Sequence, residues 1–186
     1  MRAIERNEDG YVSGMDMRYY SIMPKKWSFQ VPDVRQWVEE HLEGRVLNAC
    51  AGKERLEYDG EIIRNDVDPD KPADYHVDVV NITDELSTQS FDCIVFDPPF
   101  SDNQAEESYG VNVKTNPGNN KQATREFHKV LKPGGVVIQL GFTTTCMPGK
   151  LGYDREAVAV FNTLGRQHDW LGVVDRRLNK DLDAYQ

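Results

Sequence analysis

The chain has 186 residues, 39% of them hydrophobic, which is enough for one domain with a sizeable core. Its formal charge of −9, from 31 acidic against 22 basic residues, argues against a uniformly basic surface of the kind that grips nucleic acid everywhere. It is also a composition suited to high salt, where repulsion between surface carboxylates is screened. No apolar run reaches the ~20 residues of a membrane span, and the opening MRAIERNEDGY has no apolar signal core, so the expectation is a cytoplasmic chain with no membrane contact. Cys50, Cys93 and Cys146 form no CxxC pair and no zinc-type cluster, which predicts neither a disulfide nor a metal site.

In chain order, residues 1–26 are polar with interspersed tyrosines and read as an N-terminal arm or cap. Residues 27–186 read as one domain. Pro32 opens a helix predicted over about 32–43, with Val34, Trp37, Val38 and Leu42 on one face and Gly44 at its end. A strand from Arg45 to Ala49 follows, then one from Ile62 to Asn65 and a short one around Tyr75 to Val77. The fourth, Phe91 to Phe96, runs directly into Asp97-Pro98-Pro99-Phe100. A polar loop over 101–118, a helix over about 119–131 and the turn Lys132-Pro133-Gly134-Gly135 lead to a fifth apolar strand, Val136 to Leu140. Two late strands, about 157–162 and 170–175, flank Gly165 and suit an antiparallel pair.

That order predicts an open α/β sheet, Rossmann-like and mostly parallel, with an antiparallel C-terminal strand pair. The early connections are too short for full crossover helices, so the expected fold has reduced helices. Ligands in such sheets bind at the carboxyl ends of the strands. Four segments stand there. Asn48, Ala49, Cys50, Ala51 and Gly52 form a small-residue turn that lets backbone approach a ligand. Asp66, followed by Val67, ends the second strand where a carboxylate can accept ribose hydroxyls, with Asp68 as the neighbouring candidate. Asp78 and Val79 follow the third strand.

The fourth segment carries the chemistry. Two consecutive prolines remove two N–H donors and fix the backbone after the strand. Asp97 and the Pro98 carbonyl supply two acceptors, Pro99 holds the turn, and Phe100 supplies a flat apolar face. Two acceptors and a ring fit a planar group bearing an NH2, whose lone pair they turn toward an electrophile.

With these residues in place, the sequence resembles the class I S-adenosylmethionine-dependent methyltransferases of the amino-methylating DPPY-type group. The resemblance covers about residues 27–175 and is similar to that of small archaeal and viral proteins described as adenine-specific DNA methylases. It rests on NACAG at 48–52, NDVDP at 65–69, the tetrad at 97–100 and LKPGG at 131–135. It implies S-adenosylmethionine as cofactor, Asp66 on its ribose, Asp78 beside its adenine and the tetrad as catalytic centre. It implies a nucleic-acid substrate, DNA ahead of RNA, and adenine N6 as the accepting nitrogen because the tetrad begins with Asp. The chain departs from the usual FxGxG: Cys50 replaces the aromatic and Glu54 the second glycine. Transfer to a protein Lys or Gln side chain, or to RNA, is the alternative within the same chemistry. A non-catalytic binding module on the same fold is the alternative outside it. Tyr109 and Lys114 in the loop, Lys25, Lys26 and Trp27 before the first helix, and Arg176 and Arg177 near the end are further candidate contacts.

Overall fold

The computed structural model describes residues 5–6, 12–99 and 121–179. Phe100, loop 101–118 with Tyr109 and Lys114, and the first two residues of the helix predicted over about 119–131 lie outside the described residues.

Strands β1 (Glu5–Arg6) and β2 (Val12–Ser13) form an antiparallel ribbon. The remaining strands are β3 (Asp16–Ser21), β4 (Val46–Asn48), β5 (Ile62–Arg64), β6 (Phe91–Phe96), β7 (Leu131–Gly141), β8 (Tyr153–Asn162) and β9 (Trp170–Arg177). They form one seven-stranded sheet in the order β3-β8-β9-β7-β6-β4-β5. The pairs β3·β8, β4·β5, β4·β6 and β6·β7 are parallel, and β9 runs antiparallel to both β7 and β8. This is the mostly parallel, Rossmann-like sheet with an antiparallel late pair that the sequence predicts.

Helices are few. The two α-helices among the described residues are α1 (Pro32–Glu39) and α2 (Lys121–Val130). The strand period of two, broken once by the irregularity between Phe91 and Cys93, divides β6 between two cores. Cys93 and Val95 face a cluster with Trp37 and Val38 of α1, and Phe91, Ile94 and Phe96 face one with Ala123, Phe127 and Val130 of α2. Phe96 and Phe127 meet edge to face at 4.9 Å between ring centroids. On the other face, Trp37 packs over Gly172 of β9, where an added Cβ would lie 2.5 Å from the indole ring. A glycine is required at that spot in β9.

Several local expectations are corrected. Residues 16–21 of the predicted arm are a sheet strand, paired in register with β8 from Asp16↔Ala157 to Ser21↔Asn162. Its exposed side chains show no alternation, so the pattern does not reveal it. The third strand reduces to one parallel bridge, Asn65↔Tyr75. The Pro-Gly-Gly turn is a bulge inside β7: pairing steps from Phe91↔Leu131 to Cys93↔Val136. Helix α1 stops at Glu39, short of Leu42. Among the described residues no helix is long and apolar enough to cross a membrane.

Candidate active site

Parallel pairing puts the carboxyl ends of β4, β5 and β6 along one edge of the sheet. The chain leaves those ends as Asn48-Gly52, Asn65-Val67 and Asp97-Pro99.

The turn after β4 is held by three consecutive residues after Ile63. Arg64 Nη2 donates to the Gly52 carbonyl at 3.0 Å and to the Ala51 carbonyl at 3.4 Å. Asn65, fully buried, donates from Nδ2 to the carbonyls of Ala49 at 3.0 Å and Val77 at 2.9 Å, and its Oδ1 accepts from the Val77 N–H at 3.0 Å. Asp66 accepts the Gly52 N–H on Oδ2 at 2.8 Å and the Asp68 N–H on Oδ1 at 3.0 Å. One tripeptide thus fixes the turn and ties the 75–77 segment beside it. Sequence reading finds Asp66 and misses Arg64 and Asn65, because neither type is diagnostic without knowing which backbone lies opposite.

Gly52 lies at φ +58 with no atom within 4 Å of where a Cβ would stand, so bare backbone faces open space. Asn48 is 1% exposed and its Oδ1 has no hydrogen-bond partner. Val67 is 47% exposed, an apolar side chain standing free just past Asp66. Asp68 is ion-paired with Lys71, which holds its carboxyl below the usual range. Asp78 caps the 3-10 segment Val79–Asp84 by accepting the Val80 N–H at 3.1 Å. That segment is docked on α2 through Thr83 to Glu126 and through Gln122 Nε2 to the Val80 carbonyl at 3.0 Å.

Asp97, Pro98 and Pro99 form one wall of a cleft of about 530 Å³, counting its open mouth. Cys50, Ala51 and Gly52, then Trp27, Ser28 and Phe29, and finally Lys26, Lys53, Glu54 and Lys71 complete its lining. Burial pushes the Asp97 carboxyl up to about 7, opposed by one hydrogen bond from Ser28 Oγ at 3.1 Å. The Cys50 thiol is raised well above its usual range by burial and then by the charges of Asp66, Asp97 and Asp78.

The structure brings together every described candidate from the first four segments. Cys50, Ala51, Gly52 and the Asp-Pro-Pro run line the cleft, with Asn48 and Ala49 leading into the turn, Asp66 bonded to it at Gly52 and followed by the exposed Val67, and Asp78 and Val79 just past the Val77 that Asn65 holds. Trp27 and Lys26 line it, with the Lys26 ammonium 4.9 Å from the indole centroid. Arg176 and Arg177 do not join them. Arg176 pairs with Glu43 and Glu156, and Arg177 donates to the carbonyls of His128 and Leu131. Those groups hold helix, bulge and strand together.

No family model matches the sequence, and no curated protein is similar to it in sequence. Solved structures do share its fold. The Burkholderia thailandensis 1,6-didemethyltoxoflavin-N1-methyltransferase, with S-adenosylhomocysteine bound, superposes with a TM-score of 0.54 at 14% identity, covering 80% of this chain and 78% of that one. TrmN from Thermus thermophilus gives 0.55 at 15%, covering 80% and 49%. The [4+2]-cyclase SpnF gives 0.54 at 13%, covering 86% and 88%. A cyclase among them shows that this fold alone does not choose a reaction. What the likeness establishes is the architecture: the chain carries the Rossmann-like α/β fold of the Burkholderia methyltransferase.

Proposed function

We propose that the chain is an S-adenosylmethionine-dependent methyltransferase acting on an exocyclic amino group of a nucleic-acid base, with adenine N6 in DNA as the target. One observation carries the reading. The Asp97-Pro98-Pro99 run at the end of β6 and the Cys50-Ala51-Gly52 turn after β4 line one cleft, so an amino group held by the first would share that cleft with a group held by the second.

The residues fit the cofactor. Gly52 presents open backbone, Asn48 Oδ1 is a buried acceptor without a partner, and Val67 is a free apolar surface next to Asp66. The Burkholderia methyltransferase of the same fold was solved with S-adenosylhomocysteine bound. Asn48 to Gly52, Asp66, Val67, Asp78 and Val79 would hold it. When bound, it supplies an electrophilic methyl on a positively charged sulfonium.

The chain's own residues do the rest. Asp97 and the Pro98 carbonyl accept the two amino hydrogens and aim the nitrogen lone pair, which makes positioning the main source of rate. Phe100 supplies the stacking face for a base swung out of a duplex or already unpaired. The methylated nitrogen is acidic enough to lose its proton to solvent without a strong base. Lys26 and Lys53 at the rim give an acidic chain local positive charge where a phosphate backbone would pass.

The formal charge of −9 favours one second reading, a basic protein substrate. The same experiment separates the two. Radiolabelled methyl transfer is measured from S-adenosylmethionine to DNA, RNA and protein fractions. Label in DNA supports the proposal, and label confined to protein overturns it.

A further inference from the structure

Ser28, Phe29 and Gln30 form a single 3-10 turn between Trp27 and α1. Phe29 is 5% exposed and anchored in the core beside Val31 and Val34. The two polar residues flanking it each reach an acid that lines the cleft. Ser28 Oγ donates to Asp97 Oδ1 at 3.1 Å, and Gln30 Nε2 donates to Glu54 Oε1 at 2.9 Å. Among the described residues, Ser28 is the only hydrogen-bond donor given to the Asp97 side chain. An apolar plug thus fixes a turn whose ends bridge the acid after β6 and the turn after β4.

We propose that Ser28 is a positioning residue: its hydroxyl orients the Asp97 carboxylate and holds it in the ionised, acceptor state, leaving Oδ2 for the target amino group. This rests on the methyl-transfer reading for its function, and on geometry alone for the contact. The carboxylate sits in a cleft whose burial favours the neutral acid, and a hydrogen bond to the charged form opposes that. Lys26, Lys53, Glu54 and Lys71 line the same cleft. Ser28 differs from all of them in touching the carboxylate directly.

The test is a 13C NMR titration of the Asp97 carboxyl in the full chain, run beside the pH profile of methyl transfer. Ser28→Ala should raise the titration midpoint by about one pH unit and move the acid limb of the rate profile up by the same amount. Ser28→Thr, which keeps the hydroxyl, should restore both. Gln30→Ala loosens the same turn without touching Asp97 and should leave the midpoint in place. An unchanged midpoint in Ser28→Ala, or an equal shift in Gln30→Ala, overturns the proposal. A shifted midpoint in a chain that transfers no methyl group at any pH upholds the contact and overturns the methyltransferase reading instead.

Discussion

Asp66 and Asp97 end neighbouring parts of the same sheet edge, yet the chain treats them in opposite ways. Asp66 is 6% exposed and accepts two backbone N–H groups, one on each oxygen. Asp97 accepts one hydroxyl, and burial pushes its carboxyl up to about 7. A carboxylate satisfied by backbone donors is part of the framework; one left short of donors inside a cleft is available for chemistry. The contrast is between a carboxylate tied into the backbone of its turn and one that keeps free acceptor capacity.

Asp97→Asn should give the largest effect. It keeps the shape but replaces a charged acceptor with an amide, and methyl transfer should fall by about 10²-fold or more, as expected when a positioning group is lost. The same variant should be more stable. The folded carboxyl titrates near 7, above the ~4 of an unfolded aspartate, so the folded state binds that proton more tightly. The ionised side chain therefore costs stability progressively from about pH 4 to 7 and in full above 7, on the order of 2–4 kcal/mol. Thermal unfolding at pH 8 should show the variant above the wild type, and the two should converge below pH 4.

Asp66→Ala should do the reverse. It strands two N–H groups, which costs about 1–3 kcal/mol, and it should weaken cofactor binding measured by calorimetry. Equal stability changes of the same sign in the Asp66 and Asp97 variants would break the comparison. A smaller effect belongs to the pH profile of the wild type: transfer should rise through pH about 7 as Asp97 ionises. The smallest is Gly52→Ala. No protein atom would meet the new methyl group, so the stability penalty without cofactor is backbone strain at φ +58, about 1 kcal/mol. Thermal unfolding reads it.

The sheet edge was legible in the sequence because strands ending in Asp or Asn-Ala leave a pattern that needs no partner to be read. Parallel pairing sets Asp97, Asn48-Gly52 and Asp66 side by side in the order β6-β4-β5, and the Asn65 side chain ties the segment before Asp78 next to them. What the sequence hid depends on contacts across long separations. Arg64 and Asn65 look like an ordinary polar strand end until their side chains are seen on the Ala49–Gly52 carbonyls. Ser28 lies 69 residues from Asp97, and nothing local marks it. Strand β3 is exposed along nearly its whole length, with Met17 and Tyr19 at 65% and 66%, so it carries no alternating signal, and its partner, β8, comes some 140 residues later. Arg176 suggested a phosphate contact by type, but Glu43 and Glu156 engage it from distant elements.

If Asp97 serves methyl transfer to an adenine amino group, DNA from cells that express the chain should contain N6-methyladenine, and DNA from cells that express Asp97→Ala should lack it, with both proteins folded. Methyladenine that persists in the Asp97→Ala cells, or none in either while label enters protein, would contradict that reading.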